Sequence, residues 1–312
     1  MSATAEGTRV RPASVAPKLP RRRWSRDATE NRLFGVVRWI VIAVLTIVTA
    51  FPFYYMGFLS VQGIGDVLKN PGELWLPFSH LNLQAYVTVL EPVSAKGEGF
   101  LSVMANSAVL AIGTVVLTLL ITIPGAYAVS RLRFFGRRQV SALFLAVYLF
   151  PSILLAVPLF VFFTRVGLNG SLVAVLIVYV SQTVAVSIYM LRNYFDTIPV
   201  SLEEAAAIDG CSRLGTLFRI SLPLAMPSVL ANALFIFMFA WNEFLFALLF
   251  LVSDRGRWTV SLGLDELTGN SIEIPTTVLM AAAVITTIPI IVVFFLSERL
   301  LTEGLTAGAE KG

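Results

Sequence analysis

Six runs of apolar residues constrain this chain more than any other feature. They fall at about 36–60, 103–129, 141–163, 172–192, 228–252 and 275–297. Each approaches the roughly 20 residues that a helix needs to cross about 30 Å of hydrocarbon. The connections carry polar and turn residues, which keeps irregular backbone out of lipid. The sequence therefore predicts an all-α polytopic membrane protein with six transmembrane helices. Composition agrees: 57% of the residues are hydrophobic and 13% are charged, more apolar surface than a water-soluble domain needs.

The basic residues orient the bundle. All but five of the 23 Lys and Arg residues (Lys69, Lys96, Arg165, Arg255 and Arg257) fall on one side of it, and the positive-inside rule makes that side cytoplasmic. Both termini are then expected in the cytoplasm. Residues 1–35 read as a disordered basic cytoplasmic arm, rich in Pro, Ser and Arg and poor in aromatic residues. Residues 36–297 form the transmembrane domain, with a cytoplasmic loop at 193–227, and 298–312 form a cytoplasmic tail. The longest outside loop, about 61–102, holds the lone His80 and an amphipathic stretch, Leu83–Leu90. That stretch suits a short helix on the membrane surface, a contact for an extracytoplasmic partner, or both. Pro124, Pro151, Pro158 and Pro289 interrupt the apolar runs, and each is expected to kink its helix by removing a donor.

Several chemistries are excluded. One Cys (Cys211) and one His leave no intrachain disulfide and no Cys- or His-rich metal site. No G-x-x-x-x-G-K-[ST] stretch occurs, so no P-loop binds nucleotide here. Without H-E-x-x-H or paired intramembrane Asp residues the chain is not an intramembrane hydrolase. No catalytic residue, metal or cofactor is expected on this chain, and no nucleic-acid partner.

The polar segment Ser201–Pro223, SLEEAAAIDGCSRLGTLFRISLP, lies between the fourth and fifth apolar runs on the cytoplasmic side. Ser201 with Glu204 has capping-box spacing. A short helix is expected over 202–209, stopped by Gly210, and Ser212 is placed to cap a second helix running to about Leu222. The segment reads Glu204-Ala205-Ala206, three residues, Gly210, nine residues, Ile220, one residue, Leu222-Pro223. It resembles, at every fixed position, the EAA loop of ABC-importer permeases. The resemblance implies a MetI-like permease fold and a coupling helix pair that docks in a cleft on an ATPase subunit. The small Ala205 and Ala206 would permit close approach, Gly210 the turn, and Glu204 a carboxylate for a basic partner.

Two further stretches carry the resemblance. The ending Gly304-Leu305-Thr306-Ala307-Gly308 and onward to Gly312 is similar to that of maltose-type carbohydrate-importer permeases, where it implies a tail reaching the ATPase pair. Trp241-Asn242-Glu243-Phe244 is similar to a run common in the same sugar-importer branch. Together these cover the chain from about residue 36 to its end. They imply one permease subunit of an ATP-driven importer of carbohydrate, a di- or oligosaccharide, in the inner membrane of a prokaryote. The implied partners are a second permease subunit, an ATPase dimer that holds ATP and Mg, an extracytoplasmic sugar-binding (lipo)protein and membrane lipid. The alternatives are a glycerol-phosphate importer of the same kind and an ion-coupled secondary transporter.

Glu243 is the only acidic residue well inside an apolar run. An ionisable group there faces a bundle interior or a wet path. Two readings stand: Asn242 and Glu243 line the substrate path, or they make a packing hydrogen bond. Asn106, Ser107, Gln182, Thr183 and Ser187 carry the same pair of readings, with helix–helix bonding the commoner role for small hydroxyl residues.

Overall fold

The computed structural model describes residues 26–69, 72, 74, 81–269 and 274–309, with side chains within 33–298. No strand occurs among the described residues. Residues up to Phe53 form one unit and those from Tyr54 onward another. His80 lies outside the described residues, as does the arm before Arg26.

α1 (Arg26–Ser60) begins in the first unit, already helical within the stretch expected to be a disordered arm. Its apolar side chains, Trp39, Leu45 and Ile47 among them, are exposed, the surface a helix offers to lipid. The second unit continues with α2 (Ile64–Lys69) and α3 (Gln84–Leu90). α4 (Phe100–Arg131), α5 (Arg137–Leu149), α6 (Ala156–Arg165) and α7 (Leu172–Phe195) follow. α8 (Val200–Ile208), α9 (Arg213–Thr216) and α10 (Leu222–Leu224) make the polar segment. α11 (Met226–Asn242), α12 (Leu245–Leu251), α13 (Val260–Gly269) and α14 (Thr276–Ala309) complete it.

Four helices are long and apolar enough to cross a membrane unaided, and the number reaches six where each of two bent pairs, 137–149 with 152–165 and 213–224 with 226–242, is taken as one span. The third span is not the continuous helix expected over 141–163. It bends by 88° between α5 and the turn leading into α6, where Pro151 has no N–H to donate and holds Phe150 in extended conformation. The fifth run, expected as one helix over 228–252, breaks after Asn242 and resumes at Leu245. Pro124 and Pro289 sit inside continuous helices, so those kinks do not become breaks.

α4 and α7 form the centre. Thr114, Thr118 and Thr122 recur every fourth residue on the buried face of α4, and the Thr118 and Thr183 hydroxyls bond across to α7 at 2.9 Å. Around them Leu110, Val175, Tyr179, Phe237, Trp241 and Phe250 close the main apolar core, with Phe163 edge-on to Phe250. A second cluster, Ala126, Ile188, Leu191, Phe195, Leu217 and Val229, joins α4, α7 and α11 at the other end. The amphipathic stretch after His80 is helical as expected. Its Ala85 and Val89 pack into a third cluster with Phe100, Leu267 and Ala281, while Leu83, Val87 and Leu90 stay exposed.

Candidate functional site

The polar segment folds as two short helices joined by a tight turn. Gly210 takes φ +82° there, a left-handed conformation that costs an L-residue energy but not Gly. Ser212 caps the second helix as expected, its hydroxyl accepting from Gly215 N. The capping box does not form. α8 starts two residues earlier, after Pro199, so Ser201 falls inside the first turn and no side chain caps the helix. The second helix passes through a π-helical turn, Leu217–Ser221, before Leu222 and Pro223. At Ala225 the chain then bends by 78° into α11.

The motif residues divide by exposure. Glu204, Ala205, Gly210 and Pro223 are exposed, Ile220 and Leu222 are half-buried, and Ala206 is buried. Glu204 makes no hydrogen bond or ion pair with another described residue, which leaves its carboxylate for a partner. Sequence reasoning missed the apolar rim around it. Leu202, Ile208, Leu214 and Phe218 are exposed, Ile208 to 86%. Apolar side chains exposed in so polar a segment are the kind of patch that marks a protein-binding face. Their spacing around Gly210 was the available signal.

Sequence reasoning also passed over Glu203. Its Oε1 accepts from Arg131 Nε at 2.9 Å and from the Ser221 hydroxyl at 2.9 Å, and its Oε2 from the Tyr127 hydroxyl at 3.2 Å. Arg131 also donates to Ile198 O at 2.7 Å. Beside it Ser130 bonds Asp196 at the end of α7, and Arg137 donates to Ser130 O. A cleft of about 380 Å3 adjoins, lined by Tyr127, Arg131, Glu203, Glu204, Cys211 and Arg213 among others.

Glu243 makes hydrogen bonds of the packing kind that one of its two readings requires. Its Oε1 accepts from Phe246 N at 2.8 Å and its Oε2 from Ala247 N at 3.1 Å, which caps the first turn of α12. Its carbonyl accepts from the Ser261 hydroxyl at 2.6 Å. Asn242 donates back to Met238 O. Asn106 and Ser107 tie α4 to the 256–260 stretch through Gly256 O, Trp258 O and Val260 N. Gln182 differs: it is half-buried and bonds no other described residue. It lines a cleft of about 450 Å3 at the bend of the third span, with Tyr148, Phe150, Ser152, Ser181, Phe235 and Phe239. Gly304, Leu305, Thr306 and Gly308 continue the α14 backbone as helix, and their side chains lie outside the described residues.

Four to six apolar spans with an exposed helix pair set ahead of α11 are the arrangement of a membrane permease of the ABC-importer type. The chain belongs to the family of binding-protein-dependent transport system inner membrane components, whose profile matches residues 121–306; it is thus a multi-pass inner-membrane protein. It is 40% identical over 271 residues to the inner membrane ABC transporter permease protein YcjP of Escherichia coli, covering 87% of this chain and 94% of that one. It is 36% identical to the trehalose/maltose transport system permease protein MalG of Thermococcus litoralis, covering 92% of this chain and 99% of the relative. Among solved structures, a bacterial ABC transporter involved in the import of the acidic polysaccharide alginate has a chain that superposes with TM-score 0.74 at 26% identity. The match covers 88% of this chain and 98% of that one.

Proposed function

We propose that this chain is one permease half of an ATP-driven carbohydrate importer, and that α8 to α10 dock on a cytoplasmic ATPase subunit. The observation that carries the docking is the exposed, unpartnered Glu204 standing among Leu202, Ile208 and Leu214 on a turn held by Gly210. Both termini lie on the ATPase side, in keeping with the distribution of basic residues. ATP hydrolysis, with its Mg, belongs to the ATPase pair. A second permease completes the path, and an extracytoplasmic binding protein delivers the substrate.

The carbohydrate class is supported by the trehalose/maltose relative and by the cleft at the third-span bend. Amide and hydroxyl groups beside aromatic faces suit sugar hydroxyls and C–H faces. The described lining carries no basic side chain to neutralise a phosphate, which disfavours the glycerol-phosphate alternative. The path runs along this cleft rather than past Glu243, whose carboxylate is already engaged.

Uptake of labelled glucose disaccharides and oligosaccharides into proteoliposomes containing the reconstituted importer tests the reading. ATP-dependent, binding-protein-dependent uptake that is lost in Glu204→Ala together with ATPase association is the expected result. Unaltered uptake and association in that variant would overturn the docking assignment.

A further inference from the structure

The Glu203 cluster is unlike the exposed motif face beside it. Four groups from three parts of the chain converge: Arg131 and Tyr127 from the last turns of α4, Ser221 from the π-helical turn, and Glu203 from the first turn of α8. The two charged side chains are each only 11% exposed, although both sit at the polar end of the bundle where hydration is close by. Taking such a pair out of water costs several kcal/mol per ion, and the mutual attraction recovers that only when the geometry is complete. Here both carboxylate oxygens are engaged, and the guanidinium holds a second acceptor, Ile198 O, on the connection between α7 and α8. A buried pair of this kind is weak as a source of stability; its best-attested use is to fix register.

The surroundings show what register it would fix. Other than this cluster, what holds α9 and α10 against the bundle is largely apolar: Leu217 and Ala225 pack against Ala126, Ile188, Leu191 and Phe195. Apolar contact is non-directional, so it keeps the helices attached without setting their angle. The adjoining cleft of about 380 Å3 gives α8 room to tilt on that apolar base. The Arg131–Glu203 pair spans one side of that space.

We infer that the Arg131–Glu203 pair is the transmission link of this permease: it makes a displacement of α8 a displacement of α4, and Glu203 is a positioning residue for transport. The link rests on the reading that α8 to α10 receive the ATPase. With the pair intact, α8, the α7–α8 connection and the end of α4 move together. With the pair broken, the docked helices shift into the cleft, and ATP is hydrolysed without a matching movement of the spans. Glu204 and Glu203 are thus adjacent carboxylates with opposite duties, one facing outward to a partner and the other inward to α4.

The test uses the complete importer in proteoliposomes and reads sugar uptake and ATP hydrolysis on the same preparation. Glu203→Gln keeps the side-chain shape and removes the ion pair. Its uptake per ATP hydrolysed is expected to fall by about tenfold, within the usual range of coupling between sites, while the ATPase remains bound. Arg131→Lys keeps the charge but cannot serve both Glu203 and Ile198, and its ratio is expected to fall in the same direction. If Glu203→Gln fails to assemble, Arg131→Lys and Tyr127→Phe decide. A purely structural role would lower uptake and hydrolysis together with the amount of assembled complex. An unchanged ratio in the variants that assemble, with both activities reduced or neither, overturns the link. The docking reading fails separately, if cysteine pairs between Ile208 or Leu214 variants and the ATPase do not crosslink in the wild-type background.

Discussion

Glu243→Ala separates a cap from a substrate ligand. The carboxylate accepts from Phe246 N and Ala247 N at 2.8 and 3.1 Å, and both of those residues are buried. Removing it leaves two N–H groups without an acceptor in a dry place, at about 1–3 kcal/mol each. The variant also ceases to bury a carboxylate, which returns part of that loss, so a net cost of roughly 3 kcal/mol is expected. Gln retains one acceptor oxygen and can hold one of the two N–H groups without a formal charge, so about half that cost is expected. For a bundle of this size each kcal/mol lowers the melting temperature by about 2–4 °C. Thermal unfolding of the purified importer in detergent should therefore show a ladder, with Glu above Gln above Ala, and Ala lower by roughly 6–12 °C. Uptake should follow the amount of folded complex, with the substrate concentration for half-maximal uptake unchanged. A Glu243→Ala protein that melts with the wild type but needs far more sugar for half-maximal uptake would refute the cap and restore Glu243 to the path.

Gly210→Ala meets no atom within 4 Å of the added Cβ, so its effect is purely the left-handed backbone, about 1–2 kcal/mol; ATPase association measured by titration should weaken by about tenfold or the α8–α9 turn should open. Thr118→Val removes the bond to Thr183 while Thr183 keeps Tyr179 O, and a loss of about 0.6–1.7 kcal/mol is expected in thermal unfolding. Cys211, free and half-buried at the coupling turn, should react with an impermeant maleimide in inside-out vesicles but not in intact spheroplasts, and less once the ATPase is docked. Glu266, on the side opposite Cys211, has its carboxyl raised above the usual 4.5 by burial, opposed by Arg255 and aided by Glu98. The folded-state value lies above the unfolded one, so this contribution to stability is complete below about pH 4.5 and lost as pH rises through the folded value. Melting temperature followed upward from pH 4 should fall more in the wild type than in Glu266→Gln.

What could be read from sequence was whatever rests on period and local chemistry. The apolar runs, the stop at Gly210 and the cap at Ser212 each follow from residues within a few positions of one another; the stop and the cap are found, and the runs are helical, though the third and fifth are broken. The capping box failed because Pro199 starts α8 earlier than Ser201 would, and both signals were local and in competition. The break at Glu243 was illegible for a different reason. No Gly or Pro marks it, and the carboxylate that makes it tolerable looks the same in sequence as one that binds a substrate. Glu203 shows the limit most plainly: its partners lie 72 and 18 residues away in sequence, at Arg131 and Ser221, and nothing local distinguishes it from Glu204.

The positions of the breaks divide the bundle into stiff and jointed parts. α4 and α7 are continuous, packed on each other through small and hydroxyl residues such as Gly113, Thr118 and Thr183, with Leu176 against the Gly113 backbone. The third span bends at Phe150–Pro151, and the chain bends again at Ala225 between α10 and α11. Covalently, a push on α8 to α10 enters the spans at two places, through the short connection from α7 to α8 and through that last joint into α11, and a joint absorbs rotation. Arg131 offers a further, non-covalent entry, from α8 into α4 without crossing the joint. Tightly packed interfaces rearrange between discrete states rather than deform smoothly. If the proposed docking holds, a displacement delivered to the α4–α7 pair is expected to move it as a body past the jointed third span, where Gln182 and Phe239 border the cleft. On that reading the stiffest elements present connect the polar end to the middle of the membrane, and the bends accommodate the change.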